Sequence, residues 1–322
     1  MILVTGGGGF VGVNAARCLA DKGEEVMLLQ RRSRGVPPLL EQYWGKQVRE
    51  ATGSILELPF LFGLMKEFPI DGIVHAAFDS AGIDARGGGM SPSSGRTLYD
   101  VVQIGINGTI NMLELGRLFA LRRIIFISSV DTYRGWPQDS PVWREDAPLP
   151  PVSFSPIGNN KKAGEQVCFL YAKAYGLSVV SLRVGRVYGP GATHNEPIRI
   201  MVENAVAGSQ TDLSNVPSDS RGHTVYARDA GLAICHAVLA ASPKEHIYNV
   251  ADGRNPTMAE VAEIVRDMVP AARITLGAPT GVKPSHTGVD VSRIGEEWGL
   301  APRSVREGIA AYVDWLRKGR YE

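Results

Sequence analysis

Three glycines recur at every third position, Gly6, Gly9 and Gly12, in the run TGGGGFVG. A strand-like MILV precedes them and a helical pattern follows. A glycine turn in that setting lets backbone N–H groups approach a pyrophosphate, which then sits at a positive helix end. The chemistry on offer is dinucleotide binding. The end of the next strand, EEVMLLQRR, bears on which dinucleotide. An acid there would accept hydrogen bonds from the ribose hydroxyls of NAD, but the position holds Gln30, followed by Arg31 and Arg32. With no carboxylate to repel a 2′-phosphate and two guanidiniums to clamp it, NADP is the expected cofactor and NAD the alternative. The competing reading leaves both arginines as solvated surface charges.

The elements that must position these groups alternate along the chain. Apolar runs at residues 2–4, 26–29, 72–75, 124–127 and 179–182 read as buried strands, and residues 10–22, 98–118 and 160–175 read as helices. Strands alternating with helices imply right-handed βαβ units and a doubly wound parallel sheet of the Rossmann type, an α/β fold. Residues 81–95, rich in Gly and Ser, read as a mobile loop at the sheet's carboxyl edge. Past Gly189 a helix at 198–207, a polar stretch at 209–220, a strand-like IYNVAD and helices at 258–268 and 305–316 suggest a smaller lobe. The expected division is a dinucleotide-binding domain over residues 1–182, with 222–252 returning to it, and a substrate lobe over 183–221 and 253–322.

Composition narrows the function classes. Lys and Arg total 34 against 33 acids in 322 residues, so no net field draws nucleic acid or a membrane surface. No apolar run reaches the ~18 residues that span a bilayer. Cys18, Cys168 and Cys235 form no metal-type cluster and read as buried free thiols, which fits a reducing, cytoplasmic setting.

Further segments, in order, are HAA (residues 75–77), ING (106–108), ISSVDTY (127–133), NKKAGE (160–165), LRVGRVYGPG (182–191) and YNVADG (248–253). Together with the glycine loop they span nearly the whole chain, and the set resembles the extended short-chain dehydrogenases/reductases of the NAD(P)-dependent epimerase/dehydratase type. The resemblance implies cofactor contacts at Gly6, Gly9, Phe10, Val11, Gly12, Gln30, Arg31, Arg32, Ser54, Ile55, Ala76, Ala77, Asn107 and Lys161. It also implies a mechanism in which a tyrosine exchanges a proton with a substrate hydroxyl. A lysine four residues later lowers that tyrosine's pKa and holds the nicotinamide ribose, and a serine orients the reacting oxygen. By the match Ser129 is the serine and Lys161 the lysine, but the tyrosine position is Ile157, in SPIGNNKK.

Isoleucine neither donates nor accepts a proton. Three explanations stay open: another group (Tyr133, His194, a water) supplies the proton, the chemistry dispenses with it, or the protein binds the dinucleotide without turnover. In the family's 4,6-dehydratases the two positions after the active serine or threonine are acidic. Here they are Val130 and Asp131, so Asp131 is a candidate acid or base beside Ser129 and Lys161; the alternative is that it caps a turn. Relatives acting on nucleoside-diphosphate sugars place Asn before VYGP and Arg seven residues before the aspartate matched by Asp229. Here those positions are Arg186 and Gly222, with Arg221 displaced by one. Ser129, Ile157, Arg186 and Arg221 are thus the substrate-side candidates, with His194 and His223 in loops nearby. The expected activity is hydride transfer to or from a sugar-like or other polar, possibly anionic, substrate, with a non-tyrosine proton donor. The alternative is a catalytically impaired dinucleotide-binding sensor or scaffold. The resemblance also implies a homodimer through a four-helix bundle of 98–118 and 160–175, and apolar residues on more than one face of both, including Val101, Ile104, Ile110, Leu113, Val167, Leu170 and Tyr171, fit helices buried on two sides.

Overall fold

A computed structural model describes residues 1–78, 97–135, 142–153, 155–281 and 288–319. The run ILVT is buried at every position and forms β1 (Ile2–Thr5), followed by helix α1 (Phe10–Asp21) and β2 (Val26–Gln30). Next come β3 (Val48–Thr52), α2 (Leu58–Glu67) and β4 (Gly72–His75). The stretch expected as one helix is three joined pieces: α3 (Leu98–Val102), a π-helical turn at Gln103–Asn107, and α4 (Gly108–Leu118). Then follow β5 (Arg123–Ser129), β6 (Val142–Trp143), α5 (Pro156–Tyr175) and β7 (Val179–Val184). The chain continues through β8 (Arg186–Tyr188), α6 (Pro197–Val206), β9 (Gln210–Pro217), β10 (Thr224–Tyr226), α7 (Ala227–Leu239) and β11 (Ile247–Val250). It ends with α8 (Met258–Met268), β12 (Arg273–Gly277), β13 (Gly288–Val289), α9 (Ser292–Trp298) and α10 (Val305–Lys318).

The main sheet has seven strands in the order β11-β7-β5-β4-β1-β2-β3. From β1 the chain steps outward through β2 and β3, then crosses back to place β4 on the other side of β1. Registered pairs in it are parallel, Thr5 opposing both Leu29 and His75, and His75 opposing Phe126. Loops after β1, β2, β4 and β5 therefore leave the same edge, and the reversal between β1 and β4 is where such sheets bind ligands. The α/β doubly wound expectation holds.

The chain forms two compact units: Met1–Pro137, Pro148–Val184 and Ala230–Tyr248 in the first, Gln138–Ala147, Gly185–Asp229 and Asn249–Glu322 in the second. The first has a core built on Leu3, Met27, Ile73, Met112 and Phe126. The second has its own, with Ile198, Met201, Val261 and Ile309 packed around Tyr188 and Tyr226. Within it, β8 pairs with β10 and β9 with β12. The polar stretch at 209–220 holds β9; only Thr211 and Leu213 of that strand are buried, so it carries almost no apolar signal. The segment 81–95 lies outside the described residues. Cys18, Cys168 and Cys235 are buried free thiols. Among the described residues no helix is long and apolar enough to cross a membrane, and no cluster of His, Cys, Asp or Glu has metal-binding geometry.

Candidate functional site

The glycine loop owes its shape to close backbone approach. Gly6 adopts φ +66°, and a Cβ there would lie 2.8 Å from backbone atoms of Ala77. A Cβ on Gly12 would collide with the Gly6 carbonyl. Gly6, Gly12 and the Ala76–Ala77 pair are thus one packed unit, which is why β1 and β4 can end so near each other. Gly9 caps α1 in an extended conformation, without a side-chain hydrogen bond to the helix. A helix start leaves first-turn amides such as those of Val11 and Gly12 outside the helix's own bonding, and the helix end carries partial positive charge. This cradle fits a pyrophosphate.

His75 locks the crossing from beneath. Thr5 Oγ1 lies 2.7 Å from its Nδ1 and Thr109 Oγ1 3.1 Å from its Nε2. Burial, with the charge of Lys161, holds its pKa down to about 3, so the ring stays neutral. Ile55 is buried after β3, and its carbonyl accepts from Asn111 Nδ2 at 2.9 Å; Ser54 Oγ accepts from the Leu56 amide at 3.2 Å. Asn107 is exposed at the end of the π turn, its Nδ2 2.6 Å from Gln103 Oε1. It lines a recess of about 540 Å³ with Leu56, Pro59 and Asn111.

Lys161 is buried in α5, its ammonium 4.6 Å from the ring centre of Phe78 and 4.9 Å from that of Phe126. The described residues offer it no hydrogen-bond acceptor. Burial lowers its pKa to about 8. Two aromatic faces compensate only part of the desolvation of a cation, so hydroxyl acceptors from a bound molecule would complete its environment. Ile157, one helical turn earlier, is half-buried. A Cβ on Gly158 would strike Ser153 Oγ and the Asp131 carbonyl, so the turn after β5 packs tightly on the start of α5.

Ser129 ends β5 and caps the 3₁₀ turn Val130–Tyr133, its Oγ accepting from the Asp131 amide at 3.1 Å. The hydroxyl proton is left to donate. Asp131 lies 3.5 Å from Arg134 and accepts from Ser155 Oγ, the cap of α5, at 3.4 Å. These are long, part-exposed contacts on a carboxylate that also ties the turn to the helix.

A buried network that sequence reasoning missed stands behind this. Arg183 on β7 reaches Glu165 with Nε at 2.9 Å and Nη2 at 2.7 Å, and donates to Tyr133 Oη at 2.8 Å. Ser128 Oγ donates to Glu165 Oε1 at 2.5 Å. Glu165 lies one turn after Lys161, so the pair fixes the roll of α5 and with it the lysine. Both residues stood in segments already singled out, NKKAGE and LRVGR, but their pairing needs α5 to pack on β7, and Ser128 joins them through the β5–β7 register. Tyr133, a candidate replacement proton donor, is buried in this network and held by Arg183.

In the second unit, Arg186 starts β8, with a guanidinium nitrogen 3.9 Å from where a Cβ of Gly222 would lie. Arg221 Nη1 donates to the Asn255 carbonyl. His223, read from sequence as a surface loop residue, is buried with its ring 4.6 Å from that of Trp143; it pairs with core, not solvent. His194 precedes α6, and partial burial with the charges of Arg199 and Arg186 pushes its pKa down.

Gln30 is buried at the end of β2, whereas Arg31 and Arg32 are exposed. The expectation that no carboxylate stands here needs correction. Glu50 of β3 accepts from Gln30 Nε2 at 2.7 Å.

A family model described as the NAD dependent epimerase/dehydratase family matches residues 2–251. The chain is 26% identical to a putative UDP-glucose 4-epimerase of Methanocaldococcus jannaschii, covering 98% of each. It is also 26% identical to a dTDP-glucose 4,6-dehydratase of Streptomyces niveus, over 99% of this chain and 93% of that one. Among solved structures, a UDP-glucose 4-epimerase of Thermus thermophilus in complex with NAD superposes with a TM-score of 0.77 at 25% identity, over 99% of both chains.

Proposed function

The chain belongs to the NAD dependent epimerase/dehydratase family, and we propose that it is an enzyme passing hydride reversibly between a nicotinamide dinucleotide and a carbon of a sugar-nucleotide-like substrate. The observation that carries this reading is Lys161, a buried ammonium with aromatic faces but no acceptor among the described residues. A protein that only held a pyrophosphate would need the glycine loop and not this cation.

When bound, the nicotinamide supplies a hydride acceptor and donor. The rest falls to the chain's own groups. The glycine loop and the start of α1 at Phe10, Val11 and Gly12 cradle the pyrophosphate, Ala76 and Ala77 shape the floor, and the loop at Ser54 and Ile55, with Asn107, borders the adenine side. Lys161 holds the ribose hydroxyls. Ser129 donates its free proton to the reacting oxygen and orients it. Asp131 is the titratable group nearest in sequence to Ser129 that is not locked in the buried network, and we assign it proton transfer in place of a tyrosine, directly or through water. Ile157 forms an apolar wall where a phenol would otherwise stand. Arg186, brought over Gly222, supplies the cation for an anionic substrate group, with Arg221 one residue away as its second candidate. Dinucleotide preference is contested at the end of β2, where Arg31 and Arg32 favour a 2′-phosphate and Glu50 opposes one.

Incubation with NAD or NADP and a panel of UDP- and dTDP-sugars, followed by NMR of the sugar ring, tests the assignment. Conversion is expected in the wild-type chain and at least a tenfold loss in Lys161→Ala. The second reading, a dinucleotide-binding sensor or scaffold, rests on Ile157 and gains if the dinucleotide binds but no sugar is converted.

A homodimer is also proposed. Among the described residues, Leu98, Tyr99 and Val102 of α3, Leu118 of α4 and Phe169, Leu170 and Tyr175 of α5 make up most of the exposed large apolar side chains. Val101 and Leu113, on the same helices, face the core. Helices apolar on both faces suit a bundle between two copies. Three buried thiols suit a reducing, cytoplasmic setting.

A further inference from the structure

Lys161 and Glu165 stand four residues apart on α5, the spacing at which charged side chains meet across one helical turn. Both are buried and the Glu165 charge acts on the lysine, yet the carboxylate is held elsewhere. Arg183 of β7 donates from Nε to Oε1 at 2.9 Å and from Nη2 to Oε2 at 2.7 Å, and Ser128 Oγ donates to Oε1 as well. Arg183 is fixed in turn by Tyr133, whose Oη accepts from Nη1 at 2.8 Å and whose ring centre lies 4.7 Å from the guanidinium carbon. The other titratable groups facing the ammonium, among the described residues, are neutral. Burial keeps the His75 ring of β4 uncharged and the Cys168 thiol of α5 protonated. Lys162, the neighbouring cation, donates to the Pro150 carbonyl.

A direct Lys161–Glu165 pair would satisfy both charges and leave nothing for a ligand. With no counter-charge at all, burial would drive the lysine toward its neutral amine. The observed arrangement avoids both. We propose that Arg183 is a positioning residue: it holds Glu165 near enough to keep Lys161 protonated but turned away from it, so that the ammonium stays open to the hydroxyls of a bound dinucleotide. The proposal rests on Lys161 being the cation that meets the ligand. Stability alone gives no reason for the buried Arg183–Glu165 pair, since apolar residues of similar volume serve a core as well or better. Competition for the carboxylate does give one. The guanidinium fork matches both carboxylate oxygens at once, which the single ammonium of a lysine does not. Glu165 therefore stays with Arg183 although Lys161 is only one turn away.

Two readouts on the full chain test this without reference to turnover: NMR titration of Lys161 through its ε-carbon, assigned by its absence in Lys161→Ala, and isothermal titration of NAD. In Arg183→Met the freed carboxylate turns onto Lys161, recovering part of the lost pairing. The lysine should then titrate closer to 10.5 than to the wild-type value of about 8. NAD affinity at pH 7 should fall about tenfold or more, the scale of a hydrogen bond to a charged group. Arg183→Met combined with Glu165→Gln leaves a neutral buried pair. There the lysine should titrate below the wild-type value, and NAD affinity at pH 6 should return to within about threefold of wild type. A purely structural role for Arg183 gives no such rescue and no opposite movement of the lysine. Arg183→Lys keeps a cation without the two-pronged grip, and serves if far-UV circular dichroism shows Arg183→Met unfolded; it should shift both readouts in the direction of Arg183→Met by a smaller amount. A Lys161 titration unchanged in the folded Arg183 variants, or a double variant that binds NAD as weakly as the single one, overturns the proposal. A wild type that binds no dinucleotide, with the lysine titrations in the order given, overturns instead the role of Lys161 as the ligand's cation.

Discussion

Replacing Lys161 by Met should make the dinucleotide-free protein more stable at neutral pH while destroying its affinity for dinucleotide. The side chain is buried, and burial brings its pKa from 10.5 down to about 8. That gap corresponds to roughly 3 kcal/mol of unfavourable burial when the group is charged. Between pH 8 and 10.5 the unfolded chain keeps the proton that the folded chain gives up, so stability rises with pH across that window; below about pH 8 the full cost is present. Methionine has similar length and no charge, but forfeits the contacts of the ammonium with Phe78 and Phe126, on the order of 1–2 kcal/mol. The expected net gain at pH 7 is therefore about 1–2 kcal/mol, shrinking toward zero or reversing near pH 10.5. Urea denaturation followed by far-UV circular dichroism at both pH values, for variant and wild type, reads the difference, and other titrating groups cancel in it. A Lys161→Met variant that is less stable at pH 7, or whose advantage does not change with pH, would refute the picture of an ammonium waiting for a ligand. The trade is the one expected where a site stores an unmet interaction.

Three further outcomes follow from the same geometry. Arg183→Met leaves the Glu165 carboxylate buried without its partner and should cost about 3–5 kcal/mol in denaturation experiments, with Tyr133 losing its anchor as well. Leu170→Glu, on the exposed apolar face of α5, should shift the protein from dimer to monomer in light scattering without changing its circular dichroism; a wild-type monomer at micromolar concentration would rule out the bundle. Asp131→Asn should lower turnover by about tenfold or more, within the range of general acid–base catalysis, with dinucleotide affinity unchanged; intact turnover would return Asp131 to the role of tying its turn to Ser155.

Most of the seven-stranded sheet was legible because its signals are local. A buried ILVT run, glycines at close approach and an apolar helix each announce themselves within a dozen residues. β3 did not, since VREAT is a sheet-edge strand with Val48 as its one buried residue. The π-helical turn inside 98–118 also left no trace, because its apolar spacing passes for α-helix. At the site, Ser129 and Lys161 were readable from their segments, but what surrounds them was not. Tyr133 looked available until Arg183, fifty positions away, was seen to hold it. Gln30 looked like the loss of an acid, yet Glu50 stands beside it through strand register alone. Pairings made across a parallel sheet have no fixed sequence spacing, so a reading by motif misses them systematically.

The central claim is that this site moves hydride although Ile157 stands one turn before Lys161. Single-turnover absorbance at 340 nm tests it directly, with enzyme and oxidised dinucleotide in excess over each UDP- or dTDP-sugar of the panel. Transient reduced nicotinamide is expected with at least one sugar in the wild type, with its loss in Lys161→Ala and no gain in Ile157→Tyr. Dinucleotide that binds tightly yet stays oxidised with every sugar would contradict it.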